Sequence, residues 1–204
     1  MILASTSSIY GNSGDKEMVE DVDEKINPPS IYASTKLSGE TLAKTILSEH
    51  DTNLIITRFF TVYGPYGRPD MSILRFIHWI MENQNLIIFG DGEQKRSFTF
   101  IGDVVEFLIK AQNCNGSETF NIGNNKTSSL NEVVGIIEKV SGKKANVVNK
   151  PRAFRDPDVV LPSLNKSKEI LEWEPTTNIE DGIKLTIEWY STFQDTIKDF
   201  EYIK

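Results

Sequence analysis

The 204-residue sequence predicts an α/β protein whose strands form a parallel sheet. Its opening run, "MILASTSSIYG", combines a short apolar strand pattern with a cluster of hydroxyl residues and a glycine. A helical pattern follows from Ser30, and "NLIITRFFTVYG" is then an apolar run of strand length. Strands buried on both faces of a parallel sheet have this near-continuous apolar pattern. The order strand, helix, strand predicts a right-handed crossover unit.

Composition narrows the class of protein. The net charge of −7 is not concentrated in one block and argues against nucleic acid or an anionic membrane as a partner, since both attract basic patches. The single cysteine, Cys114, excludes an internal disulfide and fits a reducing compartment. The sequence has neither a signal-peptide pattern nor a run of about 20 apolar residues, so we expect a cytoplasmic protein with no membrane span.

The first helix is predicted from "IYASTKLSGETLAKTILSEH", with Ser30 as its cap. Its apolar residues recur at helical spacing and are expected to form the packed face. These residues are Ile31, Leu37, Leu42, Ile46 and Leu47.

The later elements are predicted from local patterns. We expect a helix over 71–83, two short strands around the Gly-Asp-Gly turn of "NLIIFGDGEQKRSFTFI", and a helix beginning at about Asp103, its cap. A strand "TFNIG" precedes a helix whose start carries a capping box, Ser129 with Glu132. A strand "ANVVNK", a loop over 151–162 and helices over 166–172 and 179–193 complete the chain.

The motif "YASTK" places Tyr32 and Lys36 four residues apart, on one face of the predicted helix. A tyrosine hydroxyl has a pKa of about 10, and a nearby ammonium lowers that pKa, which makes the phenolate a usable general base. The spacing alone is a weak signal and is more typical of a surface tyrosine and lysine.

The hydroxyl cluster at the end of the first strand favours the chemical interpretation. The carboxyl ends of parallel strands are where α/β sheets bind ligands. A hydroxyl from Ser5, Thr6, Ser7 or Ser8 could then meet Tyr32 and Lys36 at one substrate oxygen. The sequence provides the strand and then the helix that this arrangement requires.

Taken together, these motifs resemble the extended branch of the short-chain dehydrogenase/reductases, the nucleotide-sugar epimerases and dehydratases. The resemblance covers nearly the whole chain. It is carried by "ASTSSIYG", "YASTK", "RFFTVYGP", "YGRPDM", "FGDGEQKRSFTFIGDV" and "RDPDVVLPSLNKSKEILEWEP". "YGRPDM" is similar to a segment found especially in UDP-glucuronate 4-epimerase-like members.

The resemblance implies a role for each matching residue. Tyr32 would take the proton from the sugar 4-hydroxyl while hydride leaves C4 for NAD, Lys36 would stabilise the phenolate and bind the nicotinamide ribose, and Thr6 would share the hydrogen bond to the reacting oxygen. Phe59 and Val62 would approach the cofactor. The implied substrate-binding residues are Ser7, Ser8, Thr61, Arg68, Phe89 at the uracil, Arg96 at the diphosphate, Arg152, and Asp156 at the ribose.

The implied fold is the C-terminal part of a Rossmann-like doubly wound parallel sheet with a small mixed α/β substrate-binding lobe. Residues 1–66 would belong to the NAD-binding domain. Residues 67–204 would form mainly the nucleotide-sugar lobe, with about 84–125 returning to the sheet. A homodimer through a helix bundle that includes the tyrosine helix is implied as well.

Several residues keep a second interpretation. Arg68 could bind a carboxylate or phosphate through its bidentate fork, or it could close its Gly-Arg-Pro turn. Thr61 could face the sugar or be a buried strand threonine, and only one of Arg152 and Arg155 fits the phosphate-contacting position. The two histidines and Cys114 lack metal-ligand spacing, so we expect no metal site.

The sequence departs from the family pattern at two places. Dehydratases of this branch carry Asp-Glu directly after the catalytic threonine, whereas Ser7 and Ser8 stand here, which favours an epimerase. The Gly-x-x-Gly-x-x-Gly turn of the cofactor site is absent as well, which implies that ~100 residues carrying the first strands are missing.

Two hypotheses follow from that absence. The chain is either part of a complete UDP-sugar 4-epimerase, or a catalytically inactive nucleotide-sugar-binding fragment that associates with another chain. Arg68 in "GRPDM" favours UDP-glucuronate over UDP-glucose, because an extra cation could hold the C6 carboxylate.

Overall fold

The computed structural model describes residues 1–11, 16–20, 26, 28–151 and 159–197. Its helices are α1 Ile31–Leu47, α2 Ser72–Met81, α3 Ile101–Ala111, α4 Leu130–Ser141, α5 Asn165–Leu171 and α6 Ile179–Ile197, with a 3₁₀ helix at Ser7–Tyr10. Its strands are β1 Ile2–Thr6, β2 Ile55–Phe59, β3 Thr61–Tyr63, β4 Asn85–Phe89, β5 Lys95–Arg96, β6 Phe98–Phe100, β7 Glu118–Ile122, β8 Ser128–Ser129, β9 Asn146–Lys150 and β10 Val159–Val160.

A parallel sheet of order β1-β2-β7 forms the first half of the fold, as the strand patterns predict. One face of this sheet is apolar and packs on α3, where the ring of Phe107 meets that of Phe120 at 5.5 Å between centroids. The helix α1 packs on β1 and the 3₁₀ helix. The chain therefore has the α/β architecture that the sequence predicts, with a parallel sheet covered by helices.

A second core lies beside the sheet. The helices α2, α4 and α6 enclose it together with β4 and residues of β3 and β6. The short strands here form separate pairings: β3 with β6, β4 with β9, and β5 between β8 and β10. None of the helices in the described ranges is long and apolar enough to cross a membrane.

The two strands predicted around the Gly-Asp-Gly turn are present as β4 and β5, and they pair with other strands and not with each other. Strand β4 pairs in parallel with β9 and buries Leu86 and Ile88 in the second core. The segment after the turn, "EQKRS", is polar and could not cover those two side chains. Burial of the apolar face of β4 therefore decides its partner.

The predicted packed face of α1 is wrong. Three of its apolar side chains are exposed, with relative exposures of 86% for Ile31, 61% for Leu42 and 58% for Ile46. The buried positions of the helix are instead Ala33 and Glu40. At the level of Glu40 the sheet presents Ser5 and Arg58 to this helix, so the helix buries a carboxylate there and not an apolar side chain.

Asp103 is not a helix cap. Its side chain lies in the first turn of α3, after the N-cap Phe100, and is almost fully buried. Its carboxylate accepts hydrogen bonds from the backbone N–H groups and hydroxyls of Thr176 and Thr177. Asp103 therefore fastens the segment before α6 to α3, while the capping box of Ser129 in α4 is formed as predicted.

The packing of α6 on β3 requires a glycine. A Cβ atom added to Gly182 would lie 2.1 Å from the Tyr63 hydroxyl, so we expect Gly182→Ala to lower the free energy of unfolding by about 1–3 kcal/mol. Gly135, in the interior of α4, has no atom within 4 Å of its added Cβ. Gly135→Ala should therefore stabilise the protein by up to about 1 kcal/mol, because alanine is the better helix former. Denaturant unfolding of both variants measures the two effects, and equal destabilisation would contradict this account.

Candidate active site

The carboxyl end of β1 carries the predicted hydroxyl cluster. Thr6 is 7% exposed and caps the 3₁₀ helix: its Oγ1 accepts from the Ser8 backbone N–H at 3.2 Å. The same Oγ1 atom lies 3.2 Å from the Ser8 hydroxyl, to which it donates. Ser7 is half-buried and Ser8 is exposed. The strand end therefore presents three consecutive hydroxyls beside the helix α1.

Tyr32 and Lys36 lie one turn apart at the start of α1. The Lys36 Nζ atom is 6.0 Å from the centroid of the Tyr32 ring and donates a hydrogen bond to the Ala4 carbonyl oxygen at 3.1 Å. Tyr32 is 54% exposed, and its hydroxyl makes no hydrogen bond within the described part of the chain. The lysine is thus fastened to β1, while the phenol is open to a ligand.

A buried ion pair joins α1 to the middle strand of the sheet. The Arg58 guanidinium donates from Nε to Glu40 Oε1 at 3.1 Å and from Nη2 to Oε2 at 2.7 Å. The two side chains are only 3% and 2% exposed. Ser5 of β1 also donates its hydroxyl to Glu40 Oε1. Burial disfavours the guanidinium charge, but the hydrogen bonds to Glu40 and Tyr10 outweigh it and raise the pKa of Arg58.

Other polar groups complete this network. The Arg58 Nη1 atom donates to the Tyr10 hydroxyl at 2.9 Å and to the Glu20 carbonyl oxygen at 3.0 Å. The Tyr10 hydroxyl in turn donates to Asn121 Oδ1 at 2.7 Å. Burial raises the pKa of Tyr10 to about 12 against the opposing effect of Arg58, so its hydroxyl remains a donor at neutral pH.

Arg68 lies in a small cleft with Thr61 and Val62, after β3. Its Nε donates to Asp70 Oδ1 at 3.0 Å, and its Nη2 donates to Oδ2 at 2.5 Å. This ion pair raises the pKa of Arg68. The bidentate fork of Arg68 is therefore occupied by Asp70.

Phe89 and Arg96 flank the turn after β4, in the second half of the fold. Phe89 is 46% exposed, and Arg96, which is half-buried, donates from Nη1 to the Lys95 carbonyl oxygen at 2.7 Å. Between them, Gln94 donates its side-chain N–H to the Phe89 carbonyl oxygen at 2.9 Å. The Gln94 Oε1 atom is buried and has no hydrogen-bond partner in the described ranges. This turn therefore offers an aromatic ring, a cation and an unused acceptor.

The structure brings some of the predicted residues together and leaves others apart. Thr61, Val62 and Arg68 share one cleft, whereas Phe59 packs at the edge of the α3-facing core. Arg152, Arg155 and Asp156 lie outside the described residues. A large groove between the loop 124–128, α4 and the segment 175–180 contains none of the predicted site residues.

Three residues of this region were not predicted from the sequence. Arg58 is a charge inside an otherwise apolar strand pattern, and that interruption is a usable signal of a buried ion pair. Glu40 follows Lys36 by four residues and so shares its helix face. Gln94 had no such signal, because its importance depends on burial that only the structure reveals.

A parallel sheet with a Tyr-x-x-x-Lys helix against it and hydroxyls at its first strand end defines a member of the extended short-chain dehydrogenase/reductase class. The model of the family described as GDP-mannose 4,6 dehydratase matches residues 1–186. The chain belongs to this family.

Individual relatives are nucleotide-sugar epimerases. The chain is 40% identical to the UDP-glucuronate 4-epimerase of Thermodesulfobacterium geofontis over 98% of its own length and 62% of that protein. A UDP-glucuronic acid 4-epimerase from Bacillus cereus, solved with UDP-glucuronic acid and NAD, superposes with a TM-score of 0.85 at 33% identity, over 94% of this chain and 61% of that one. A UDP-glucose 4-epimerase from Thermotoga maritima, solved with UDP-glucose, gives a TM-score of 0.88 at 28% identity, over 95% and 63%. The chain thus spans about three fifths of the length of these relatives.

The two tyrosine hydroxyls of the site should differ in their effect on stability. Tyr10→Phe removes an acceptor from the buried Arg58, and we expect it to lower the free energy of unfolding by about 1–3 kcal/mol. Tyr32→Phe, the matched control, removes an exposed hydroxyl and should change it by less than about 0.5 kcal/mol. Urea unfolding followed by circular dichroism measures both, and a large loss in Tyr32→Phe would mean that this hydroxyl is structural.

Proposed function

We propose that this chain carries the catalytic residues and the nucleotide-sugar site of an NAD-dependent UDP-sugar 4-epimerase, with UDP-glucuronate as the preferred substrate. The observation that carries the proposal is the pair at the start of α1. An open phenol at Tyr32 lies beside an ammonium at Lys36 that is held on β1. The similarity to epimerases that bind UDP-sugars supports it.

The proposed chemistry assigns one task to each residue. Tyr32 takes the proton from the sugar 4-hydroxyl and returns it after the sugar has turned over. Lys36 holds its positive charge one helical turn from Tyr32, where it stabilises the negative charge that the reaction places on the tyrosine oxygen. Thr6 donates a hydrogen bond to the same sugar oxygen, for which its hydroxyl must leave Ser8.

NAD supplies the hydride acceptor and donor at C4 when it is bound. The residues present fit the nicotinamide end of that cofactor, because Lys36 uses one of its three N–H donors on Ala4 and keeps two for ribose hydroxyls. Val62 is a half-buried apolar side chain of β3 in the cleft with Thr61 and Arg68, suited to a nicotinamide ring, and Phe59 remains a predicted contact. A glycine-rich turn for the pyrophosphate is not found in this sequence.

The second half of the chain would hold the nucleotide sugar. The exposed ring of Phe89 suits the face of a uracil, and Arg96 suits a diphosphate. Arg152 and Asp156 remain predicted contacts. We propose accordingly that residues 1–66 serve the cofactor and residues 67–204 mainly the substrate, with β7 returning to the sheet.

The test measures binding and turnover separately. The purified chain is titrated with UDP-glucuronate by calorimetry and then incubated with UDP-glucuronate and NAD, and the 4-epimer is detected by NMR. We expect Lys36→Met to lower turnover by about 10²–10⁴-fold. Lys44→Met, on the same helix and away from Tyr32, should leave turnover unchanged. Failure of the chain to bind any UDP-sugar would refute the proposal.

A second candidate function is a nucleotide-sugar-binding fragment that acts only with another polypeptide. Two observations favour it: within the described residues the outer edge of β1 has no strand partner, and the relatives are longer. An unpaired edge offers a row of free backbone groups to another strand. Binding of UDP-glucuronate without turnover would favour this candidate over the first.

The ion pair between Arg68 and Asp70 gives a test of sugar specificity. If Arg68 holds the C6 carboxylate, Asp70 competes with the substrate for the same guanidinium fork. Asp70→Asn should then tighten binding of UDP-glucuronate severalfold without tightening that of UDP-glucose, since an exposed ion pair contributes little to stability. Arg68→Ala should abolish the preference. If Asp70→Asn changed the binding of both sugars equally, Arg68 would only close its turn and would not hold the C6 carboxylate.

We also infer a homodimer through a helix bundle that includes α1, and a cytoplasmic location. The exposed apolar side chains Ile31, Leu42 and Ile46 support the first inference, since they suit a helix packed against a second copy. The single cysteine supports the second. Sedimentation of Leu42→Glu should show a shift from dimer to monomer, and a wild-type monomer would contradict the dimer.

A further inference from the structure

We propose that Glu40 is a positioning residue, which determines where Tyr32 and Lys36 lie along β1. The proposal rests on the function proposed above, because it assigns to Glu40 the task of holding the pair that performs the chemistry. Tyr32, Lys36 and Glu40 follow one another at intervals of four residues and so lie along one face of α1.

Two adjacent residues of β1 hold this face of the helix. Lys36 donates to the Ala4 carbonyl oxygen, and one turn later Glu40 accepts the hydroxyl proton of Ser5. Two points of attachment one turn apart fix both the rotation of α1 about its axis and its position along the strand. A shift of the helix by one residue would break both contacts.

Arg58 makes the second attachment rigid. It lies opposite Ser5 in the register of β1 and β2, and opposite Asn121 in that of β2 and β7. Its guanidinium is held from the other side by the Tyr10 hydroxyl and the Glu20 carbonyl oxygen. The carboxylate of Glu40 is therefore bound in a bidentate manner by a cation whose other N–H groups are also hydrogen-bonded.

Apolar packing of this helix is limited within the described chain. Ala33 and Glu40 are its only buried residues, and the large apolar side chains Ile31, Leu42 and Ile46 are exposed. A Cβ atom built on Gly39 would meet no atom within 4 Å. The polar contact at Glu40 thus holds this helix against the sheet, as apolar packing does for most helices of α/β proteins.

The test uses the reactivity of Lys36 in the chain as it is. The protein is acetylated briefly with an amine-reactive ester, and mass spectrometry gives the ratio of modification at Lys36 to that at Lys44, an exposed lysine of the same helix. One variant is Ser5→Ala, which removes a single hydrogen bond to Glu40. The other is Glu40→Leu with Arg58→Met, which replaces both charges and is expected to fold, since apolar replacement of a complete buried ion pair is often neutral.

We expect the ratio of Lys36 to Lys44 modification to rise roughly threefold to tenfold in both variants, as Lys36 loses its hydrogen bond to Ala4. The matched control is Lys139→Met with Glu180→Gln, which removes an ion pair between α4 and α6, away from α1, and should leave the ratio unchanged. Thermal unfolding identifies the variants that are folded. If the double variant does not fold, the ratio in Ser5→Ala decides alone.

An unchanged ratio in a folded variant, whether its unfolding midpoint is that of the wild type or lower, would overturn the proposal, because a merely structural ion pair affects stability and not the placement of Lys36. The measurement needs neither nucleotide nor cofactor. A chain that fails to bind UDP-glucuronate but shows the expected ratios contradicts only the proposed function. A chain that binds it with unchanged ratios contradicts only the positioning role.

Discussion

The buried ion pair between Glu40 and Arg58 is the constraint on which the rest of the site depends. Neither charge has access to water, so each must be matched by partners inside the protein. Ser5, Tyr10 and the Glu20 backbone supply these partners, each from a different segment of the chain. The same contacts hold the helix that carries Tyr32 and Lys36. The groups that compensate the two buried charges therefore also position the site.

The pleat of the sheet separates this polar region from the apolar cores. Side chains alternate between the two faces of each strand, so Arg58 lies on the α1 face while its neighbours Thr57 and Phe59 point to the other. The α3 face is apolar around Phe107 and Phe120. One sheet thus supports a dry, tightly packed face that gives stability and a polar face that orients the helix.

Local patterns in the sequence predict much of the fold, including the parallel strands, the helix positions, the capping box and the Tyr32–Lys36 pair. The features that could not be predicted depend on partners far along the chain. Asp103 fits a cap pattern, but Thr176 and Thr177 take its carboxylate. The apolar residues of α1 have helical spacing, but polar strand residues select the opposite face. Periodicity reports which side chains share a face, and tertiary contacts determine which face is buried.

The polar network joins distant parts of the sequence. Tyr10 and Asn121 are separated by 111 residues, and Glu20 and Asn121 by 101. Contacts of such high sequence separation form late, since long loops must close before any bond repays the lost entropy. During synthesis the Tyr32–Lys36 helix emerges well before Asn121. The Tyr32–Lys36 pair is therefore synthesised before the network is complete, and a nascent chain that ends before β7 carries both side chains without the contacts that order them.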